Sequence, residues 1–213
     1  SEMRFLGGLV VITVPILSGF LVAGGKTLGE GIRLSIFNAF SALSTTGYAT
    51  CSYNDWPETA LAVMILLMVI GGGLGSTAGG IKLARVCILM KNLVRNIRKK
   101  MMPDRTVLLT YYHRGTEKEL LENEQIEEAS TYAGCYVLIY ILGTVLLTFF
   151  SGCTLVQGAF EFASSLGTVG LSIGVTNSNT STICLLIEIV GMVLGRLEIF
   201  VIFKALKKNK EKS

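Results

Sequence analysis

Two short stretches hold the residues best suited to chemistry, Thr45-Thr-Gly-Tyr48 and Thr168-Val-Gly-Leu171. The chemistry they suit is coordination of a cation by backbone oxygen. A glycine accepts positive φ, so successive carbonyls beside Gly47 and Gly170 can aim at one axis and replace an ion's hydration shell. The first stretch lies in Ser41-Ala-Leu-Ser-Thr-Thr-Gly-Tyr-Ala-Thr50, after an apolar run at residues 34–40 and before a polar patch at 51–55. That run is too short to cross a bilayer, which takes roughly 20 helical residues. A segment that enters the membrane, turns at Thr-Thr-Gly and leaves on the same side is a pore loop. The competing reading is a polar loop between two spans. Irregular backbone at membrane depth is tolerated only where protein buries it or where it lines a watery cavity.

The chain repeats the pattern. At an offset of 123, Phe37-x-x-x-Ser-Ala-Leu-Ser-Thr-Thr-Gly47 lies over Phe160-x-x-x-Ser-Ser-Leu-Gly-Thr-Val-Gly170. At an offset of 120, Val69-Ile-Gly-x-x-Leu-Gly75 lies over Ile189-Val-Gly-x-x-Leu-Gly195. The difference falls in an external loop, where length is cheap. Each copy reads span, pore helix, Thr-x-Gly, span, and the recurrence favours the pore loop over the plain connector. A carbonyl filter needs a closed ring of such loops, and this chain supplies two. Either it dimerises, or it is half of a longer polypeptide.

The elements that must position these loops are apolar. Of 213 residues 51% are hydrophobic, with a mean hydropathy of +0.59, as in a polytopic membrane protein. Residues 5–25, 59–81, 132–152 and 181–203 are of spanning length, and residues 34–43 are the first candidate pore helix. Of 19 Lys and Arg, ten lie at residues 82–118 and five at 204–212. Both termini and the middle segment are therefore expected in the cytoplasm. The net charge of +4 is a topology signal and gives no reason to expect nucleic acid. Trp56 is expected in the interfacial aromatic belt and Pro57 in the first turn of the following helix.

The second span breaks at Gly71-Gly-Gly-Leu-Gly-Ser-Thr-Ala-Gly-Gly80, since each glycine costs a helix roughly 1 kcal/mol relative to Ala. Gly80 is followed by Ile81-Lys82, not Lys-Ser/Thr, so the segment fails as a phosphate loop, and no βαβ strand precedes it as a dinucleotide site requires. Two readings stand: small residues for close helix packing, or a broken helix that constricts a pore. In the fourth span Glu188, Arg196 and Glu198 are ionisable groups at membrane depth, which normally face a cavity or a partner. Repeat alignment sets Arg196 level with Ser76, where its five donors could hold carbonyls freed by the break. Between the units, residues 106–112 have strand character, His113-Arg-Gly115 reads as a turn, and residues 117–128 are helix-prone. Five cysteines form no Cys-x-x-Cys pair and are expected as small apolar residues, and His113 alone makes no zinc site. No nucleophile, metal cluster or acid pair suggests an enzyme.

Three blocks together resemble the Trk/Ktr/HKT superfamily of potassium transporters, in its TrkH-type branch. They are Ser44-Thr-Thr-Gly-Tyr-Ala-Thr50 with Asp55-Trp-Pro57, then residues 71–82, then Gly195-Arg-Leu-Glu-Ile-Phe200. The resemblance implies an all-α polytopic membrane fold with four units around a pseudo-fourfold axis, of which this chain would be the third and fourth. Residues 1–100 would form one unit, 101–130 a cytoplasmic connector, and 131–213 the next unit with a basic tail. It implies K⁺ as the transported ion, bound at a filter of Thr45, Thr46, Gly47 and Tyr48 with Thr168, Val169, Gly170 and Leu171, and no cofactor. It implies a gating loop of Gly71, Gly72, Gly73, Gly75, Ser76, Thr77, Gly79 and Gly80 that runs on to Lys82, and the sequence reading adds Arg196 as its latch. Expected partners are the N-terminal half of the same transporter, a second copy in a homodimer, a cytoplasmic nucleotide-binding ring of TrkA type and the lipid of a prokaryotic inner membrane. The rival expectation is a non-conducting structural or regulatory subunit of the same fold.

Overall fold

The structure, a computed structural model, describes residues 2–73, 78–102, 111–114 and 117–196. Seven helices are described: α1 (Glu2–Ala23), α2 (Leu28–Ser44), α3 (Glu58–Ile70), α4 (Leu83–Lys100), α5 (Asn123–Ser151), α6 (Leu155–Leu166) and α7 (Thr182–Arg196). Helices α1 and α5 are long and apolar enough to span a bilayer, while the apolar α3 has 13 residues, on the order of 20 Å. Apolar side chains face outward on the long helices: Val11 is 71% and Phe149 78% exposed. Lipid is the solvent for such faces, and the chain is a membrane protein.

Both candidate pore helices begin with the same device. Thr27 and Thr154 are N-caps whose hydroxyls accept from the backbone N–H of Glu30 and Gln157, and those side chains bond back to the cap N–H. Each box satisfies two of the backbone donors that a helix start leaves orphaned. Gly31 and Gly158 follow one turn later. A Cβ at Gly31 would stand 3.1 Å from Val22, and one at Gly158 would land on the Thr148 hydroxyl, so both positions let the short helix lie tightly against the preceding span.

Helix α2 packs on α1 and α3, α6 packs on α5 and α7, and the two halves meet where α3 contacts α6 and α4 contacts α5. Lipid tails are as apolar as Leu, so close fit rather than water release holds such helices together. The Phe162 ring, for example, occupies a notch that a Cβ at Gly143 would fill, and a Cβ at Gly191 would stand 3.0 Å from the same ring. One core runs from Leu17 and Leu21 through Met64, Leu67 and Met68 to Phe160 and Val169. A second gathers Tyr132, Tyr136, Leu147, Phe162, Leu166 and Cys184.

Several expectations shift. Trp56 is 5% exposed and meets Tyr53 edge-on at 5.0 Å, a core contact and not a belt position. Pro57 is the N-cap of α3 rather than its first helical residue. In the connector, β1 (Tyr111–Arg114) pairs antiparallel with β2 (Glu117–Leu120), so His113 and Arg114 belong to a strand, and the helix starts only at Asn123. That helix is continuous into the third span, as its acidic start has no breaker before the apolar run. Cys87 and Cys184 are buried, Cys51, Cys135 and Cys153 half-buried, and none of the five forms a disulfide. The end of the fourth span, with Glu198, lies outside the described residues.

Candidate functional site

Helices α2 and α6 each end in a loop built to one pattern. Thr45 closes α2 in the left-handed region, at φ 55° and ψ 35°, and Thr168 stands at φ 51° after α6. Two residues on, Gly47 has φ +73° and Gly170 φ +95°. A β-branched residue at positive φ is a steric outlier that persists only where its surroundings enforce it. Here the same outlier appears at the same place in both repeats.

Hydrogen bonds enforce it. Thr46 N–H donates to the Ser41 carbonyl at 3.1 Å, and Val169 N–H to the Ser164 carbonyl at 2.9 Å. The serine hydroxyls then diverge: Ser41 Oγ donates to the Tyr48 carbonyl at 2.6 Å, while Ser164 Oγ accepts from Gly170 N–H at 3.1 Å. The two loops touch each other. A Cβ on Gly47 would fall on the carbonyl oxygen of Val169, whereas one on Gly170 would stand 3.9 Å from the Gly47 Cα. Thr45, Gly47 and Thr168 are half-buried, Thr46, Tyr48 and Gly170 exposed, and Val169 and Leu171 buried. The two stretches singled out from sequence thus lie side by side, in contact at Gly47 and Val169.

Sequence reasoning missed what stands behind these loops. Glu161 on α6 is 3% exposed and accepts from Ser172 Oγ at 2.6 Å, Ile173 N–H at 3.0 Å and Thr176 N–H at 3.1 Å. It ties residues 172–176, which follow Gly170, back onto α6. Thr176 in turn donates its hydroxyl to Glu188 Oε1 on α7 at 2.5 Å. At the matching position of the first unit stands Asn38, which donates to the Leu34 carbonyl at 2.8 Å and accepts from the Tyr53 hydroxyl at 2.7 Å. Burial pushes the Tyr53 phenol well above its ordinary pKa, so it stays a donor. The signal that could have found Glu161 is an acid between two phenylalanines in an apolar run, 123 residues after an asparagine in the same frame.

The glycine segment is anchored at both ends. Helix α3 stops at Gly71, φ +71°, whose N–H bonds to Leu67 O. On the return, Ile81 N–H donates to Val69 O at 3.0 Å, Lys82 N–H to Ile70 O at 2.9 Å and Leu83 N–H to Gly72 O at 3.0 Å. The entry of α4 thereby satisfies carbonyls that the end of α3 leaves open. The limbs touch without room for side chains: a Cβ at Gly71 would fall on Gly79 O, and one at Gly80 would stand 2.9 Å from Gly71 Cα. A Cβ at Gly79 would fall on Gly167 O and 2.7 Å from Thr168 Oγ1, so this limb lies directly against the second loop. Lys82, at φ 74°, is the N-cap of α4. Gly73 is half-buried, and Gly75, Ser76 and Thr77 lie outside the described residues. Arg196, exposed at the end of α7, lines a cavity of about 640 Å³ together with Thr168, Val169, Glu161 and Glu188. The residue before it, Gly195, meets the carbonyl of Leu166 at the end of α6.

Among the described residues no group of His, Cys, Asp and Glu could hold a metal ion.

Comparison with known proteins gives this arrangement its context. The chain matches the TrkH family of cation transport proteins over residues 11–212. It is 32% identical over 165 residues to an uncharacterized cation transporter of Methanocaldococcus jannaschii, covering 78% of this chain and 34% of that protein. It is 26% identical to the Trk system potassium uptake protein TrkH of Halomonas elongata, covering 94% of this chain and 40% of the relative. With the Ktr system potassium uptake protein B of Bacillus subtilis it shares 27% identity over 92% of this chain and 43% of the relative. The crystal structure of the potassium transporter TrkH from Vibrio parahaemolyticus has the same fold, with a TM-score of 0.79 and 21% identity, over 96% of this chain and 44% of that one. The chain thus spans less than half the length of these proteins, all of them transporters by name and none an enzyme. Two copies of span, re-entrant helix and glycine-turned loop, matched along nearly their whole length, place this chain in the TrkH family of cation transport proteins.

Proposed function

We propose that this chain forms two adjoining walls of a potassium-conducting pore. Thr45, Thr46, Gly47 and Tyr48 form one wall, and Thr168, Val169, Gly170 and Leu171 the other. The observation that carries the reading is the contact of the two loops at Gly47 and Val169, each with positive φ at its threonine and its glycine. Backbone of alternating hand turns successive carbonyls toward a common side, as ion coordination needs. The ring is completed by two further loops, from additional units or from a second copy. Segment 71–80, pressed against the second loop at Gly79, is the gate, and Arg196 is its latch. Insertion in a prokaryotic inner membrane with both termini inside, a homodimeric assembly and regulation by a cytoplasmic nucleotide-binding ring complete the proposal. The names of the Trk and Ktr relatives and the distribution of basic residues support it. The test is uptake of K⁺ against Na⁺ by the complete transporter in a strain that lacks its own potassium uptake. Gly47→Ser should weaken the preference for K⁺ at unchanged protein level, and an unchanged ratio of the two ions would remove Gly47 from the filter.

A further inference from the structure

Helix α4 is turned the wrong way round for a helix that belongs wholly to the bundle. Its first turns are held: Leu83, Ala84 and Cys87 are buried, and the Arg85 guanidinium sits 4.0 Å over the Tyr132 ring. Beyond Ile88 the pattern inverts. Met90, Leu93, Val94, Ile97 and Met101 are 42–82% exposed, while Lys91, Asn92 and Arg95 are half-buried. At 100° per residue the five apolar residues share one face, about 100° wide. The apolar face points away from the protein and the polar face is the more covered one. From Leu83 to Met102 the chain carries six basic residues and no acidic one, and Arg98, Lys99 and Lys100 are exposed at the end of the helix.

We propose that the second half of α4 lies in the headgroup layer of the cytoplasmic leaflet and recognises anionic phospholipid. Met90, Leu93, Val94, Ile97 and Met101 reach the acyl boundary, and Arg98, Lys99 and Lys100 pair with lipid phosphates. A large apolar face with Lys and Arg on the other side is how a helix binds a membrane surface, and each cation near an anionic leaflet adds attraction. Charge argues against a second copy as the occupant, because two such helices would bring together twelve cations with no counter-charge. Helix α4 also carries the return limb of the glycine segment, through the bonds of Ile81, Lys82 and Leu83 to residues 69–72. Anionic lipid at its far end is therefore positioned to bear on that segment.

The test places the chain, one copy per nanodisc, in phosphatidylcholine alone or mixed with phosphatidylglycerol, and follows amide hydrogen exchange of residues 89–101. Exchange should slow about tenfold with phosphatidylglycerol, and the quadruple variant Arg95→Gln, Arg98→Gln, Lys99→Gln, Lys100→Gln should lose the difference while α1 exchanges as before. In a separate variant, Ile97→Trp, the added fluorescence should be quenched more by brominated phosphatidylglycerol than by brominated phosphatidylcholine. Equal exchange and equal quenching in the two lipids would overturn the proposal. So would protection that appears only with two chains per disc, which would make the face an interface between copies, or only on adding an acidic soluble protein.

Discussion

Replacing Glu161 by glutamine removes one acceptor from a buried site that holds three donors. If the amide oxygen takes the place of Oε1, it keeps Ser172 and Thr176, and the new NH₂ then faces the Ile173 N–H. In the opposite orientation Ile173 is satisfied and Ser172 can rotate its hydroxyl to accept, but the Thr176 N–H is orphaned. Either way one backbone donor goes unpaired, at about 1–3 kcal/mol for a buried group. Glu161→Ala would strand all three, on the order of 3–5 kcal/mol even where water enters the space. A destabilisation of 1–3 kcal/mol lowers the melting temperature of a chain of this size by about 3–10 °C. Thermal unfolding in detergent can be followed with a thiol-reactive dye, since Cys184 is fully buried in the native state and reacts once α7 loosens. The expected order of melting temperatures is wild type, Glu161→Gln, Glu161→Ala. If residues 168–171 line the filter as proposed, both variants should also blur the K⁺ over Na⁺ preference of the complete transporter, because the clamp fixes the segment that follows Gly170. A Glu161→Gln protein that melts with wild type and keeps its selectivity would refute the clamp.

The two loop glycines, Gly47 and Gly170, should not respond alike. Gly47→Ala must push Val169 away, whereas Gly170→Ala carries only the strain of its positive φ, so Gly47→Ala should be the less stable by about 1–2 kcal/mol and melt lower in the same dye assay. Arg196→Ala should raise potassium flux through the complete transporter if the arginine latches the glycine segment, with Arg196→Lys between; lower flux at equal protein level would make it an anchor instead. Tyr53→Phe leaves Asn38 Oδ1 without its donor and should cost about 1 kcal/mol by the same dye assay. Expressed alone, the 213-residue chain should not rescue a potassium-uptake-deficient strain, and rescue would mean that copies of it close the ring by themselves.

Much of the architecture is legible because membrane physics is written in runs of residues. Residues 5–25 carry no charge, and α1 fills them almost to the residue; the Thr-x-Gly repeat located both loops by spacing alone. The starts of α2 and α6 carry their own signature, Thr27-x-x-Glu30 and Thr154-x-x-Gln157, which lies outside the apolar runs, so α2 begins six residues before residue 34. What stayed hidden depends on partners distant in sequence. Glu161 is paired with donors 11–15 residues downstream, in a strand whose path no local pattern gives. Trp56 suited the bilayer interface by type, yet Tyr53 and its bond to Asn38 create a buried seat for it. The left-handed threonines could not be foreseen either, because β-branched residues avoid that region unless a hydrogen-bonded frame enforces it.

The three bonds from Ile81, Lys82 and Leu83 to residues 69–72 have a consequence for how this protein can vary. They fix the register between α3 and α4 independently of what lies between Gly73 and Ala78. Lengthening a closed loop is inexpensive, about 0.6 kcal/mol for each doubling of its length. Insertions, deletions and polar substitutions within that interval can therefore accumulate without disturbing the bundle. Selection, or an engineer, can alter residues 74–77 while the frame on either side of them stays the same.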